Sequence, residues 1–148
     1  MMFSRITFLV ALLAFLGLGD SFYLTAHFYF GVPLACGPFS GCETVTSSVY
    51  STFLGIPVAL FGAINYGILF LGTIIAREYH LEKLFKSIAL YSVFGFFASA
   101  WFVYVMAFLL HAWCTYCLVS ATLSTLIFLL SVFYLLHYKF SFASRNNP

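Results

Sequence analysis

Charge is the scarcest property of this chain. Ten Asp, Glu, Lys and Arg residues make up 7% of its 148 positions, whereas 64% are hydrophobic and 22% aromatic. A soluble domain of that size cannot bury so much apolar surface, so the lack of charge excludes a water-soluble fold and makes lipid the solvent. The net charge of +2 is too small for a nucleic-acid-binding surface. No glycine-rich phosphate loop, low-complexity tract or charged tail is present, which removes phosphate-loop nucleotide chemistry and disordered interaction arms. No internal repeat is visible either. A single membrane domain over residues 1–148 is the expectation.

Long apolar runs are abundant. Four are read, at about 6–30, 55–76, 87–110 and 113–138, each reaching the roughly 20 residues that cross a hydrocarbon core. Lipid offers the backbone no hydrogen bonds, so each is a helix. The fold class is therefore an all-α integral membrane protein, a four-helix bundle. An outer loop (31–54), a polar loop (77–86) and a very short turn around His111 connect the helices. Arg5, Arg77, Lys83, Lys86, Lys139 and Arg145 all fall on one side if the helices alternate in direction. The positive-inside rule puts both termini and the polar loop in the cytoplasm, and the outer loop and the His111 turn opposite them. The first run is read as a retained helix rather than a cleaved signal: it is too long and no A-x-A site follows.

Cysteine is limited to four residues. Cys36 and Cys42 lie in the outer loop, and Cys114 and Cys117 begin the fourth helix as C-x-x-C. All four then face the oxidising compartment, where disulfides persist. Three pairings are open, and the short spacings favour Cys36–Cys42 and Cys114–Cys117, with cross-pairs as exchange intermediates. A structural staple is a fair reading of the loop pair. It is a poor one for Cys114–Cys117, because lipid already enforces that helix. The loop spacing and the membrane mouth argue against a four-cysteine zinc site, so no metal is expected. A helix start stabilises a thiolate through unpaired N–H groups and the dipole, which suits Cys114 and Cys117 to redox exchange.

Below Cys117, Ser120, Ala121 and Ser124 form a small-residue face in a chain crowded with Phe, Leu and Tyr. Such a face serves close helix packing. It also leaves room beside Cys117 for a flat ring, and a bilayer-soluble quinone has the right size and setting. Ala59, Ala63 and Gly67 make a comparable stripe in the second helix, opened by Pro57. Asn65 should face the bundle and be hydrogen-bonded there. Asp20 is the one acid well inside a helix; it either braces Tyr23 or a neighbouring helix, or it handles protons.

Taken together these residues resemble the vitamin K epoxide reductase family, in its bacterial branch acting in disulfide formation. The likeness rests on "GDSFYLTAHFYFG" (19–31), on "CGPFSGCETVTSSVYSTFLGIPVALFG" (36–62), on "WCTYC" (113–117) and on the four-helix plan, and it spans nearly the whole chain. It implies that Cys114 and Cys117 are the active pair, with Cys117 facing the quinone. Cys36 and Cys42 are then a relay that receives electrons from a thioredoxin-fold partner, and Cys42 exchanges with Cys114. Ser47 matches a family serine near the quinone head group. Ser47 and Pro57 would cover a site floored by Ser120, Ala121 and Ser124.

Vertebrate members have a tyrosine four residues after the last cysteine, where this chain has Ala121, and an asparagine early in the second helix, where it has "GIPV". These departures favour ordinary quinone reduction over epoxide reduction. The expected activity is electron transfer from a periplasmic, DsbA-like thioredoxin-fold dithiol protein to a ubiquinone- or menaquinone-type acceptor in a bacterial inner membrane. The short tail after the fourth helix implies that this partner is a separate protein. Three rivals are weighed. A DsbB-type protein places its C-x-x-C in the first outer loop, which does not match. The others are epoxide reduction proper and a non-enzymatic membrane protein stapled by disulfides.

Overall fold

A computed structural model describes residues 2–37 and 41–145, the last six by their backbone alone. Pro38–Ser40, inside the loop motif, lie outside the described residues.

Among the described residues four helices are long and apolar enough to cross a membrane: Met2–Phe30, Val58–Glu78, Glu82–Leu110 and Thr115–Lys139. The chain is an all-α integral membrane protein built as a four-helix bundle. In chain order the elements are α1 (Met2–Phe30), a short α2 (Cys42–Thr46), a 3-10 turn (Val49–Ser51), strands β1 (Thr52–Phe53) and β2 (Ile56–Pro57), α3 (Val58–Glu78), α4 (Glu82–Tyr104) continued by a π-helical turn (Val105–Leu110), and α5 (Thr115–Arg145). Helix α1 packs on α3 and α5, and α4 packs on α5 and α3, so the helices form a closed ring.

Most large apolar side chains point outward. Phe15, Leu71, Phe94 and Leu129 are all exposed, as lipid-facing residues are. Inside, one cluster of Val10, Tyr66, Leu69, Phe85, Ile127 and Tyr134 fills the bundle. A second, at one mouth, joins Cys42, Val45, Met106 and Cys114. At the opposite end Arg77 lies over the Phe8 ring and Lys86 over the Tyr138 ring, 3.3 Å from its centroid. Cations and cysteines therefore occupy opposite ends of the bundle.

Several boundaries differ from the sequence reading. The polar loop shrinks to a turn, because Arg77, Glu78 and Glu82–Lys86 are helical; charged residues continue a helix past the hydrocarbon where water can solvate them. Helix α5 starts at Thr115, not 113. Pro57 is the N-cap of α3 rather than a first-turn residue, held extended at φ −63° and ψ 134°. It also pairs with Thr52 in a two-residue hairpin whose turn, Leu54–Gly55, has positive φ at both positions.

The packing stripe is also different. A Cβ on Gly67 would meet nothing within 4 Å, so Gly67 is no close-contact point. Close approach falls instead at Gly17, where a Cβ would lie 2.5 Å from the Tyr66 ring, and at Gly62, 2.9 Å from Ser21 Oγ. Asn65 is half-buried, but its Oδ1 has no hydrogen-bond partner, contrary to the expected bond.

Candidate active site

The redox site forms where the outer loop folds back onto the turn between α4 and α5. That turn is tightly determined. The α-helix opens into the π turn over Val105–Leu110, and His111 then adopts a left-handed conformation (φ 47°, ψ 33°). The Ala112 N–H still donates to the Met106 carbonyl at 3.2 Å. Such π turns are frequent at functional sites. Here the turn brings buried Met106 against Cys42 and Cys114.

Cys114 is the last residue before α5, and its carbonyl accepts the first intrahelical bond, from Leu118 at 3.1 Å. Its sulfur therefore occupies the N-cap position, where a side-chain acceptor receives first-turn N–H groups. Burial opposes a charge there, but hydrogen bonds outweigh it. The Cys117 thiol donates most strongly; the backbone N–H groups of Cys117 and Tyr116 and the Cys42 thiol add to it. The Cys114 thiol is lowered to about 6, so it is a thiolate near neutral pH.

Cys42 is fully buried, and its thiol is pushed up to about 12. Burial is the first cause and its hydrogen bond with Cys36 the second; negative charge on Cys114 adds to both. The four sulfurs thus stand in series, Cys36 to Cys42 to Cys114 to Cys117. Only the two ends are half-exposed; Cys42 and Cys114 are sealed.

Three residues hold this line together; the sequence reading passed over Gly41 and Tyr116 and named Tyr23 only as a brace for Asp20. Gly41 lies so close to the turn that a Cβ would sit 2.8 Å from the Trp113 backbone N and O. Tyr23 donates its hydroxyl to the Pro33 carbonyl at 2.8 Å, and Tyr116 donates to the Ala35 carbonyl at 2.9 Å. The two rings also touch, 5.2 Å between centroids. Together they clamp the segment that delivers Cys36. Tyr116 lies inside the C-x-x-C and was the readable signal: a tyrosine at a helix start can reach a loop carbonyl.

The predicted quinone residues divide. Ala121 lines an open groove of about 270 Å3 between α4 and α5, with Val103, Leu118, Thr122, Thr125 and Leu126. Ser120 and Ser124 are not part of it. The Tyr66 hydroxyl donates to the Ser120 carbonyl at 2.6 Å and lies 3.1 Å from Ser120 Oγ. Ser124 is buried, and a Cβ on Gly95 would lie 3.3 Å from its hydroxyl. Those serines seat α3 and α4 against α5. Cys117 stands between the two faces, one turn above Ala121. Ser47 is exposed as the C-cap of α2, its hydroxyl donating to the Glu43 carbonyl at 2.5 Å. Pro57 is buried at the head of α3.

Four sulfurs in series at one mouth of a four-helix membrane bundle define a class, the membrane thiol oxidoreductases. The vitamin K epoxide reductase family model matches residues 8–132, and the chain belongs to that family. It is also similar to the thiol-disulfide oxidoreductase LTO1 of Arabidopsis thaliana, at 34% identity over 122 residues. That match covers 76% of this chain and 32% of the relative, so the chain spans about a third of the plant protein's length.

Proposed function

We propose that the protein carries electrons from a thioredoxin-fold, DsbA-like dithiol protein to a membrane quinone and so sustains disulfide formation. The observation that carries this reading is the order and burial of the sulfurs. A protein partner can reach half-exposed Cys36, whereas Cys42 and Cys114 are closed to it. A stapled, non-enzymatic protein has no use for thiols bonded in series across two segments.

The steps follow from exchange chemistry. A partner thiolate attacks Cys36 of the Cys36–Cys42 disulfide, and Cys42 leaves. The second partner thiol resolves the mixed disulfide and frees Cys36. Cys42 then attacks Cys114 of the Cys114–Cys117 disulfide, and Cys117 leaves. Attack by Cys36 on Cys42 expels Cys114, whose low pKa makes it a good leaving group. When bound beside Cys117, a quinone supplies an acceptor for two electrons and two protons. The groove reaching Ala121 suits this, because it opens beside Leu118 and Ala121, within one turn of Cys117. In this reading Cys117 and Ala121 face the ring. Ser120 and Ser124 set the helix spacing behind it, and Ser47 and Pro57 shape the cover above.

The same reading includes one domain over the whole chain, a bacterial inner membrane, cytoplasmic termini and periplasmic cysteines. The charge distribution supports that orientation. The decisive experiment uses purified protein in vesicles containing ubiquinone or menaquinone. Reduced DsbA-like protein should drive quinone reduction. Cys114→Ser and Cys117→Ser should abolish it with any reductant. Cys36→Ser and Cys42→Ser should abolish it with the protein partner yet spare turnover driven by dithiothreitol. If wild-type protein oxidised the dithiol partner without reducing either quinone, the acceptor assignment would fall.

A further inference from the structure

Asp20 is an expensive residue that the relay leaves unused. It lies inside a membrane-spanning helix, and its Oδ2 is buried without a hydrogen-bond partner. A carboxyl oxygen buried without a partner is costly in such a place unless the group is neutral or in use. Tyr23, the partner expected for it, bonds the outer loop instead.

Its position is fixed by packing. The Tyr66 ring rests on Gly17, and its hydroxyl reaches Ser120. Tyr66 therefore bridges α1 and α5 at that level. Asp20 is three residues above Gly17 on α1, and Cys117 is three residues before Ser120 at the outer end of α5. Residues three apart share a helix face. Asp20 and Cys117 thus stand at one level, just outside the Tyr66 ring. Asp20 interacts electrostatically with Cys117 and Cys114 from α5 and its cap, and with Tyr66 from α3. Tyr23 and His27 are the titratable groups above it on its own helix.

We propose that Asp20 is the proton acceptor of the quinone-reducing step, taking the Cys117 thiol proton as the disulfide closes. This rests on the quinone reading above. The balance closes. In the reduced pair Cys114 is the thiolate, and Cys117 donates a hydrogen bond to it. Closing the disulfide releases two electrons to the quinone. The Cys117 proton passes to the Asp20 carboxylate, which returns it to water at the cysteine mouth. The two quinol protons come from that water, one of them replacing the proton lost when Cys114 ionised. Without a carrier, the Cys117 proton would leave across a dry helix interface.

The test compares wild-type protein with Asp20→Asn and Asp20→Glu in quinone vesicles, driven by dithiothreitol. General acid–base groups contribute about 100-fold or more. Asp20→Asn should lower quinone turnover by at least that much and lose one limb of its pH profile. Asp20→Glu should recover part of both. Stoichiometric reduction of the Cys114–Cys117 disulfide should be unchanged in both variants. A second readout needs no quinone: the redox-difference infrared spectrum of wild-type protein should show a carboxyl band that tracks Cys114–Cys117 and vanishes in Asp20→Asn. Equal turnover and pH profile in Asp20→Asn would overturn the proposal. So would faster turnover, which would leave Asp20 merely an opposing charge, or a slow Asp20→Glu with a lowered unfolding temperature, which would make its role structural. If wild-type protein reduced no quinone, the acceptor reading would fail, and the infrared band would still decide whether Asp20 exchanges protons with the pair.

Discussion

Cys114 shows how much one position in a helix can change a sulfur. The same thiol placed mid-helix would gain no first-turn N–H groups, and burial alone would raise its pKa. At the N-cap the donors prevail and it falls to about 6. In the reduced protein the ultraviolet absorbance of a thiolate should therefore titrate with a midpoint near pH 6, and Cys114→Ser should remove it. The stability link has a definite sign. A depressed pKa stabilises the fold at pH above the unfolded thiol's value, and that contribution fades as pH falls through about 6. Reduced wild-type protein should gain unfolding resistance over Cys114→Ser between pH 6 and 9; a flat difference would contradict the cap. At Ala121 the argument is volume. Ala121→Phe fills the groove while leaving lipid-compatible surface. Quinone turnover should fall at least tenfold with little loss of folded protein, and an unchanged apparent affinity would mean that the ring binds elsewhere.

Elements meet through small contacts with little tolerance. Gly41 presses against the backbone of Trp113, which cannot move aside as a flexible side chain could. Gly41→Ala should push α2 off the α5 turn and part Cys42 from Cys114. Turnover with a protein dithiol should drop at least tenfold while dithiothreitol-driven turnover persists. Equal loss with both reductants would mean that the turn itself had collapsed. Gly17 is the corresponding point inside the bundle. Tyr66 is 2% exposed and tied to Ser120, so it has nowhere to go when a Cβ appears on α1. Gly17→Val should destabilise by about 1–3 kcal/mol, the usual cost of overpacking, seen as a lower unfolding temperature in detergent. Tyr66→Phe loses both contacts of the hydroxyl with Ser120 and should cost about 1–2 kcal/mol.

At the scale of the whole molecule, the bundle is polarised. Cations gather at one end and sulfurs at the other. A membrane-impermeant maleimide should label reduced Cys36 in intact cells or right-side-out vesicles, and labelling restricted to inverted vesicles would reverse the orientation. Much of this scale was legible in the sequence. Hydropathy sums over twenty residues, and it found all four spans to within a few residues. Charge counts placed Arg5, Arg77, Lys83, Lys86 and Lys139 together. The C-x-x-C at the head of a long apolar run located the mouth. Less legible were the different surroundings of the three residues on the small face. Ser120, Ala121 and Ser124 look alike in one dimension, but their directions around α5 differ, and only Ala121 meets the groove.

The sequence by itself determined the four crossings, their alternation and the one-sided cysteines, because each is a sum of local transfer energies that no tertiary contact of a few kcal/mol can reverse. Only the tertiary structure decided that Cys42 meets Cys114, that α1 approaches α3 at Gly17 and Gly62 rather than along Gly67, that Asn65 and Asp20 carry unpaired oxygens, and that Tyr23 and Tyr116 pin the loop. Those outcomes depend on how far each helix is rotated about its axis and on where a loop of weak propensity comes to rest. Both are set by many small packing and hydrogen-bond terms between residues distant in the chain, which no local pattern records.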